Sequence, residues 1–301
     1  MLGDFQTVLV LTGPTCSGKT ALALELAERL DAEIVGADSR QIYRDMPIAT
    51  AAPTREEQAR VRHHLIGFLD PHERYSAARY AADALAAIAG IHARGKRAIV
   101  AGGSGFYVRA LCGDVALSPA YDATLRARLA REARLHSPEV LHGWLAARDP
   151  RRAALLPPGD RYRVMRALEI VLAPPASAGP QPSLRAAQVP FVKVALDVPQ
   201  LELDERIERR VDAMLAAGLV EEAEHVGRDA VAADAVGYPQ AFAFLSGACT
   251  RAELRALLAR ATRRYAKRQR TWLRSEPAVC WATPGDVSHS ICGRRMAVEP
   301  T

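Results

Sequence analysis

The segment Gly13-Pro14-Thr15-Cys16-Ser17-Gly18-Lys19-Thr20 restricts this chain more than any other part of it. It satisfies G-x-x-x-x-G-K-[ST] at every fixed position, and it has the context that motif requires. The β-branched, apolar run TVLVLT (7–12) predicts a buried strand before it. The run after it, TALALELAERL, spaces Leu22, Leu26 and Leu30 at i, i+4 and i+8, which predicts an amphipathic helix. Strand, glycine-rich turn and helix in that order make an anion cradle. Loop N–H groups point inward and the helix N-terminus adds partial positive charge. Lys19 contributes a full charge, and Thr20 offers its hydroxyl to Mg²⁺. A diphosphate or triphosphate is expected on Gly13 to Thr20.

The theme recurs downstream. AEIVGA (32–37) reads as a second strand ending at Asp38, 76–94 as an Ala-rich helix, and KRAIVAGGSG (96–105) as another strand running into a glycine-rich turn. Strands alternating with helices predict a parallel α/β sheet whose ligands bind at the carboxyl ends of the strands. Asp38, the 13–20 turn and the 102–105 turn all fall at such ends, so they can converge on one site. Beyond Gly113 the pattern changes. Residues 122–171 read as helical, 173–190 are rich in Pro, Ala and Ser and read as a loop, and FVKVALDV (191–198) reads as a returning strand. Leu203, Ile207, Val211 and Met214 form one face of a helix that Gly218 ends, and a long helix covers 251–274. The expected fold is therefore α/β, with a P-loop NTPase-like parallel core over 1–112. A mainly helical insertion follows over 113–190, then a return to the core with basic C-terminal helices over 191–282, and a flexible tail over 283–301.

Composition narrows the classes. At 49% hydrophobic and 25% charged residues over 301 positions, the chain is ordinary globular material. No apolar run approaches the ~20 residues that cross a bilayer. The first residues carry no basic cluster and lead straight into a strand, unlike a secretory signal. The five cysteines (16, 112, 249, 280 and 292) are odd in number and contain no C-x-x-C, which argues against a disulfide framework and a zinc site and for a reducing cytoplasm. The net charge of +6 hints at a polyanionic partner. Between 251 and 274 the basic residues face a single acid, Glu253. So lopsided a segment is either a solvated helix face or a surface for phosphates. Within it Tyr265 and Trp272 alternate with Lys267, Arg268 and Arg270, a pattern that suits single-stranded nucleic acid or two core anchors. Other residues leave alternatives open. Asp38 can cap the next segment or act as a general base or metal ligand facing the cradle. Ser104 can cap the following helix or donate to a bound anion. Arg206 and Arg210, four residues apart beside Arg209, can each reach over the apolar seam of their helix. His63 and His64 are adjacent and point apart, a poor metal site.

Eight stretches then carry a specific likeness: GPTCSGKTALALELAERL (13–30), ADSRQIYRDMPIATAAP (37–53), HHLIGFLDPHERYSAARY (63–80), AGGSGFYVRAL (101–111), DPRRAALLPPGDRYRVMRALEI (149–170), RIERRVDAMLAAGLVEEA (206–223), VGYPQAFAFLSG (236–247) and TRRYAKRQRTWLR (262–274). Together, and in this order, they resemble the bacterial tRNA dimethylallyltransferase (isopentenyltransferase) family. The resemblance implies transfer of a dimethylallyl group from dimethylallyl diphosphate to N6 of adenine 37, in tRNAs that read codons beginning with U. It implies Mg²⁺ as cofactor and a tRNA anticodon stem-loop as partner. By the same likeness the diphosphate lies on Gly13, Pro14, Thr15, Cys16, Ser17, Gly18, Lys19 and Thr20, with Thr20 toward the metal. Asp38 stands where the family has its general base, and Ser104 where it usually has Thr. Arg210 matches the arginine that meets the diphosphate. The implied tRNA contacts are Asp38, Ser39, Arg40, Gln41, Ser104, Arg126, Tyr162, Arg163, Arg166, Val236, Gly237, Tyr238, Lys267 and Arg268. The sequence departs from the family pattern at Ala49 and Ala52, which replace Gly and Lys, and at Gly67, which replaces a common Asp. A kinase of a small metabolite and a prenyltransferase of free adenine nucleotides are the rival readings. A monomer without membrane attachment is expected.

Overall fold

The structure, a computed structural model, describes residues 5–115, 117, 122–173 and 181–292. Strand β1 (Val8–Thr12) is buried along its whole length, as a five-residue apolar run at the centre of a sheet must be. It feeds the glycine-rich turn and α1 (Lys19–Leu30), which starts from Gly18 at φ 92°. That left-handed conformation costs glycine nothing and would strain any other residue. Leu22, Ala23, Leu24, Leu26 and Ala27 of α1 are buried with Leu9, Leu11 and Ile99.

The chain continues through β2 (Ala32–Gly36), the short helices α2 (Pro47–Thr50) and α3 (Arg55–Arg60), a two-residue β3 (His63–His64), α4 (Ala77–Ala93), β4 (Arg97–Ala101) and α5 (Gly105–Cys112). Residues 116–181 form a separate compact unit holding α6 (Ala123–Leu135), α7 (Pro138–Arg148), α8 (Pro150–Ala153) and α9 (Arg161–Leu172). Its own small core gathers Leu129, Leu141, Leu145, Val164 and Leu168. Asp122 caps α6 by accepting from the N–H groups of Thr124 and Leu125.

The first unit resumes with β5 (Phe191–Leu196), α10 (Gln200–Ala216), α11 (Leu219–Val226), a 3₁₀ turn (Val231–Asp234), α12 (Tyr238–Leu245), the long α13 (Arg251–Leu273), β6 (Val279–Ala282) and α14 (Pro284–Cys292). The six strands form one sheet in the order β3-β2-β4-β1-β5-β6, and every pair is parallel. The fold is therefore a P-loop α/β core. A second core cluster, built on Ile207, Val211, Leu219, Tyr238 and Leu258, binds α10 to α13 together beside the sheet.

The structure departs from the sequence-based division in three places. Residues 182–190 belong with the core: the Leu184 N–H donates to the Leu111 carbonyl at 2.7 Å and its side chain is buried. Residues 284–292 are helical, not frayed, with Val287 fully buried and the Ser288 hydroxyl donating to Glu25. Strands β3 and β6 are too short to show a periodic pattern, and each forms by pairing at a sheet edge. The remaining tail, 293–301, lies outside the described residues. Among the described residues Cys16, Cys112, Cys249 and Cys280 are free thiols, and no helix is long and apolar enough to cross a membrane.

Candidate active site

Because β2, β4 and β1 are neighbours, the turns that leave their carboxyl ends are neighbours too. The β4 turn, Gly102-Gly103-Ser104-Gly105, docks on the end of β2: the Ser104 N–H donates to the Ala37 carbonyl at 3.1 Å. The approach is so close that a Cβ on Gly102 would lie 2.2 Å from that carbonyl oxygen. The three turns, with α10 and α13, enclose a cleft of about 790 Å³.

At one end is the cradle. Thr15, Cys16, Gly18, Lys19 and Thr20 line the cleft, whereas Gly13, Pro14 and Ser17 are buried beneath it. The Lys19 ammonium donates to the carbonyls of Gly13 (3.0 Å) and Pro14 (2.7 Å). Burial pulls its pKa down to about 8; nearby Asp38 opposes that shift and Arg210 adds to it. Arg210 reaches in from α10, and its Nη1 donates to the Thr15 hydroxyl at 3.1 Å. The Nε of the same guanidinium is buried with no hydrogen-bond partner, a donor an anion could satisfy. Arg206, one turn earlier, pairs with Glu202 at 2.5 Å and donates to the Cys16 carbonyl at 3.4 Å. Both arginines therefore reach over the seam.

Asp38 lines the same cleft. Its Oδ1 accepts from the N–H groups of Arg40 (2.8 Å) and Gln41 (3.4 Å), an Asx turn that fixes the carboxylate and leaves Oδ2 without a partner among the described residues. Ser104 makes no cap to its own helix. Its Oγ accepts from the Ser39 N–H at 2.8 Å and donates to the Ser39 hydroxyl at 3.1 Å. Ser104 thus holds the residue next to Asp38 instead of lining the cleft. Arg40 pairs with Asp234 at 2.7 Å, and the Gln41 amide donates to the carbonyls of Thr50 and Ala51.

Two polar residues that sequence reasoning did not single out organise these parts. Gln269, buried on α13, accepts from the Thr15 N–H (2.7 Å) and donates to the Gly103 carbonyl (3.0 Å). Glu222, on α11, accepts from the N–H groups of Ile48 (2.6 Å) and Ala49 (2.9 Å) and from the Tyr238 hydroxyl (3.1 Å). Burial raises its pKa against those three donors. Their only signal in the sequence is a polar side chain on the apolar face of a helix.

The expected nucleic-acid contacts divide. Val236 lines the cleft, while Gly237 and Tyr238 are buried, with Tyr238 fully enclosed. In the helical unit Arg126 and Arg166 both pair with the nearly buried Glu169, at 3.3 and 2.8 Å. Tyr162 and Arg163 are exposed, with 69% of the Tyr162 surface accessible. Lys267 and Arg268 line a second groove of about 560 Å³ with Arg264, Thr271, Trp272 and Ser275. Arg268 also borders the cleft and lies 5.5 Å over the Tyr265 ring. His64 contacts the buried Glu33 at 2.6 Å and His63 the Val61 carbonyl at 2.7 Å, so they do point apart. No cluster of three acidic, His or Cys side chains suited to a metal occurs among the described residues.

Residues 41–276 match the IPP transferase family. The chain is 46% identical to the tRNA dimethylallyltransferase of Anaeromyxobacter sp. (strain K), covering 97% of this chain and 98% of that one. It is 43% identical to that of Geobacter sulfurreducens, covering 93% and 92%. Among solved structures it resembles the full-length tRNA isopentenylpyrophosphate transferase of Bacillus halodurans (TM-score 0.67, 36% identity, 93% and 90% covered). It also resembles a eukaryotic dimethylallyltransferase studied acting on tRNA (TM-score 0.73, 25% identity, 96% and 77% covered).

Proposed function

We propose, from the premise that this chain belongs to the IPP transferase family, that it transfers a dimethylallyl group from dimethylallyl diphosphate to N6 of adenine 37 in tRNAs reading codons that begin with U. The enzyme is a tRNA dimethylallyltransferase; the donor, the acceptor atom and the residue roles are our reading. One observation carries that reading: a carboxylate with a free oxygen, Asp38, shares a single cleft with a phosphate cradle and with the basic helix α13.

The chemistry follows from charge. Breaking the allylic C–O bond builds positive charge on the dimethylallyl unit and negative charge on the departing diphosphate. Oriented donors that meet the anion lower that barrier. Lys19, the cradle amides and the unpartnered Nε of Arg210 supply them. Thr20 would hold Mg²⁺, which neutralises diphosphate charge when bound; a site with one protein hydroxyl suits an ion that arrives on phosphates. Adenine N6 is a weak nucleophile because its lone pair is delocalised into the ring. Asp38 accepts its hydrogen bond, orients it and takes the proton. The base leaves its stack at a cost of a few kcal/mol, offset by contacts to the stem-loop.

The test is a transfer assay with labelled dimethylallyl diphosphate and Mg²⁺, offering unmodified tRNA bearing A36-A37-A38 and, in parallel, AMP and ATP. Label fixed at A37 is the expected result. Label in AMP but not in tRNA would move the enzyme to free nucleotides, and turnover of ATP without prenyl transfer would make it a kinase.

A further inference from the structure

We infer that Gln269 is a positioning residue that sets the spacing between the diphosphate cradle and Asp38, an inference that rests on the function proposed above. Its amide joins two backbones that the sheet only brings near each other. Oε1 takes the Thr15 N–H in the loop after β1, and Nε2 gives a hydrogen to the Gly103 carbonyl in the turn after β4. The join then passes to the base. The hydroxyl of Ser104, next to Gly103, accepts from the N–H of Ser39, next to Asp38, and donates to the Ser39 hydroxyl. Thr15, Gln269, Gly103, Ser104, Ser39 and Asp38 thus form a continuous chain from the anion end of the cleft to its carboxylate.

The chemistry of the join admits one side chain. It needs an acceptor and a donor on one planar group, at the end of a stem long enough to cross from α13. Glutamate would offer no hydrogen to Gly103, methionine would offer neither partner, and asparagine is one methylene too short. The receiving turn is shaped for it: a Cβ on Gly103 would lie 2.3 Å from Gln269 Nε2, and one on Gly105 2.3 Å from Trp272, three residues further along α13. The helix is therefore keyed into the turn at two successive points. Displacing one reacting atom by about 1 Å strongly slows bond formation, because bound groups react only near their attack distance. Gln269 touches no reacting atom in this scheme and acts through the turns it joins.

The experiment compares the unsubstituted enzyme with Gln269→Met, reading single-turnover transfer to tRNA, equilibrium binding of dimethylallyl diphosphate and of tRNA, and hydrogen exchange of the Thr15 amide. The expected result is a transfer rate at least tenfold lower, both dissociation constants within threefold of the parent, and faster exchange at Thr15. Gln269→Asn keeps an amide and the polarity of the site, so it serves if the methionine variant does not fold; the same loss of rate is expected. A transfer rate within threefold of the parent, unchanged exchange at Thr15, or a loss confined to the affinity for one substrate would overturn the inference. Absence of transfer by the unsubstituted enzyme, with both ligands bound, would instead overturn the function on which the inference rests.

Discussion

Lys19 is folded back on its own loop, donating to Gly13 and Pro14, with its pKa brought down to about 8 chiefly by burial. A bound diphosphate favours the charged ammonium, so the pKa rises on binding and protons are taken up above the free-enzyme value. On the function proposed above, affinity for dimethylallyl diphosphate should be full below pH 8 and decline above it. Calorimetry at pH 7 and pH 9 should show about a tenfold weakening, one decade for the one unit past the pKa. Lys19→Met should bind weakly and lose that slope. At the other end, Asp38→Asn keeps an oxygen for the Arg40 N–H but cannot take a proton. It should lower kcat by about 10²- to 10⁴-fold in the transfer assay while leaving diphosphate affinity intact. Both residues were legible in the sequence, because a cradle and a strand end are local patterns. Ser104 was legible only as a hydroxyl. Its partner Ser39 lies on another strand's turn, and nothing near either residue says that they meet.

At the scale of elements, the sequence showed each long helix and the central strands through periodicity and left the short ones unseen. The helix α2 spans four residues and buries only Ala49, too little to be stable by itself. Its existence depends on Glu222, whose carboxylate receives the N–H groups of Ile48 and Ala49 from a different helix. Glu222→Ala should cost about 2–4 kcal/mol in denaturant unfolding, since two amides and the Tyr238 hydroxyl lose their acceptor together. The raised pKa gives a further sign. Between the unfolded and folded values the native state binds more protons, so this carboxyl makes the protein less stable as pH rises through that window. The Glu222→Gln variant, which does not titrate, should lack that part of the pH dependence. The substitution of Ala for the family's Lys at position 52 falls at this same wall of the cleft. The structure offers no account of what replaces the lost cation.

For the whole molecule, the basic segment divides in a way that composition alone could not show. Arg255 and Arg263 of α13 pair with Asp212, Glu208 and Asp204 of α10, and Arg270 pairs with Asp197. Among the described residues Arg264 and Lys267 have no acidic partner and line the second groove. The segment therefore holds both paired cations, tied to α10 and Asp197, and unpaired ones that border a groove. Unpaired cations such as these release counterions when a polyanion binds. The affinity for tRNA should fall steeply with salt, and Arg264→Gln or Lys267→Gln should each reduce the slope of log K against log salt by about 0.7–0.9. Arg255→Gln should leave that slope unchanged; filter binding across a salt series checks all three. The order of the sheet has one more consequence, and it concerns time. Strand β1 is made first, yet its partner β5 begins at Phe191, beyond the whole helical unit. At roughly 5–20 residues per second a ribosome needs about 10–40 s to reach it. For that interval β1 lacks the partner of one edge, so its unpaired backbone N–H and C=O groups on that side are open to pairing with other chains.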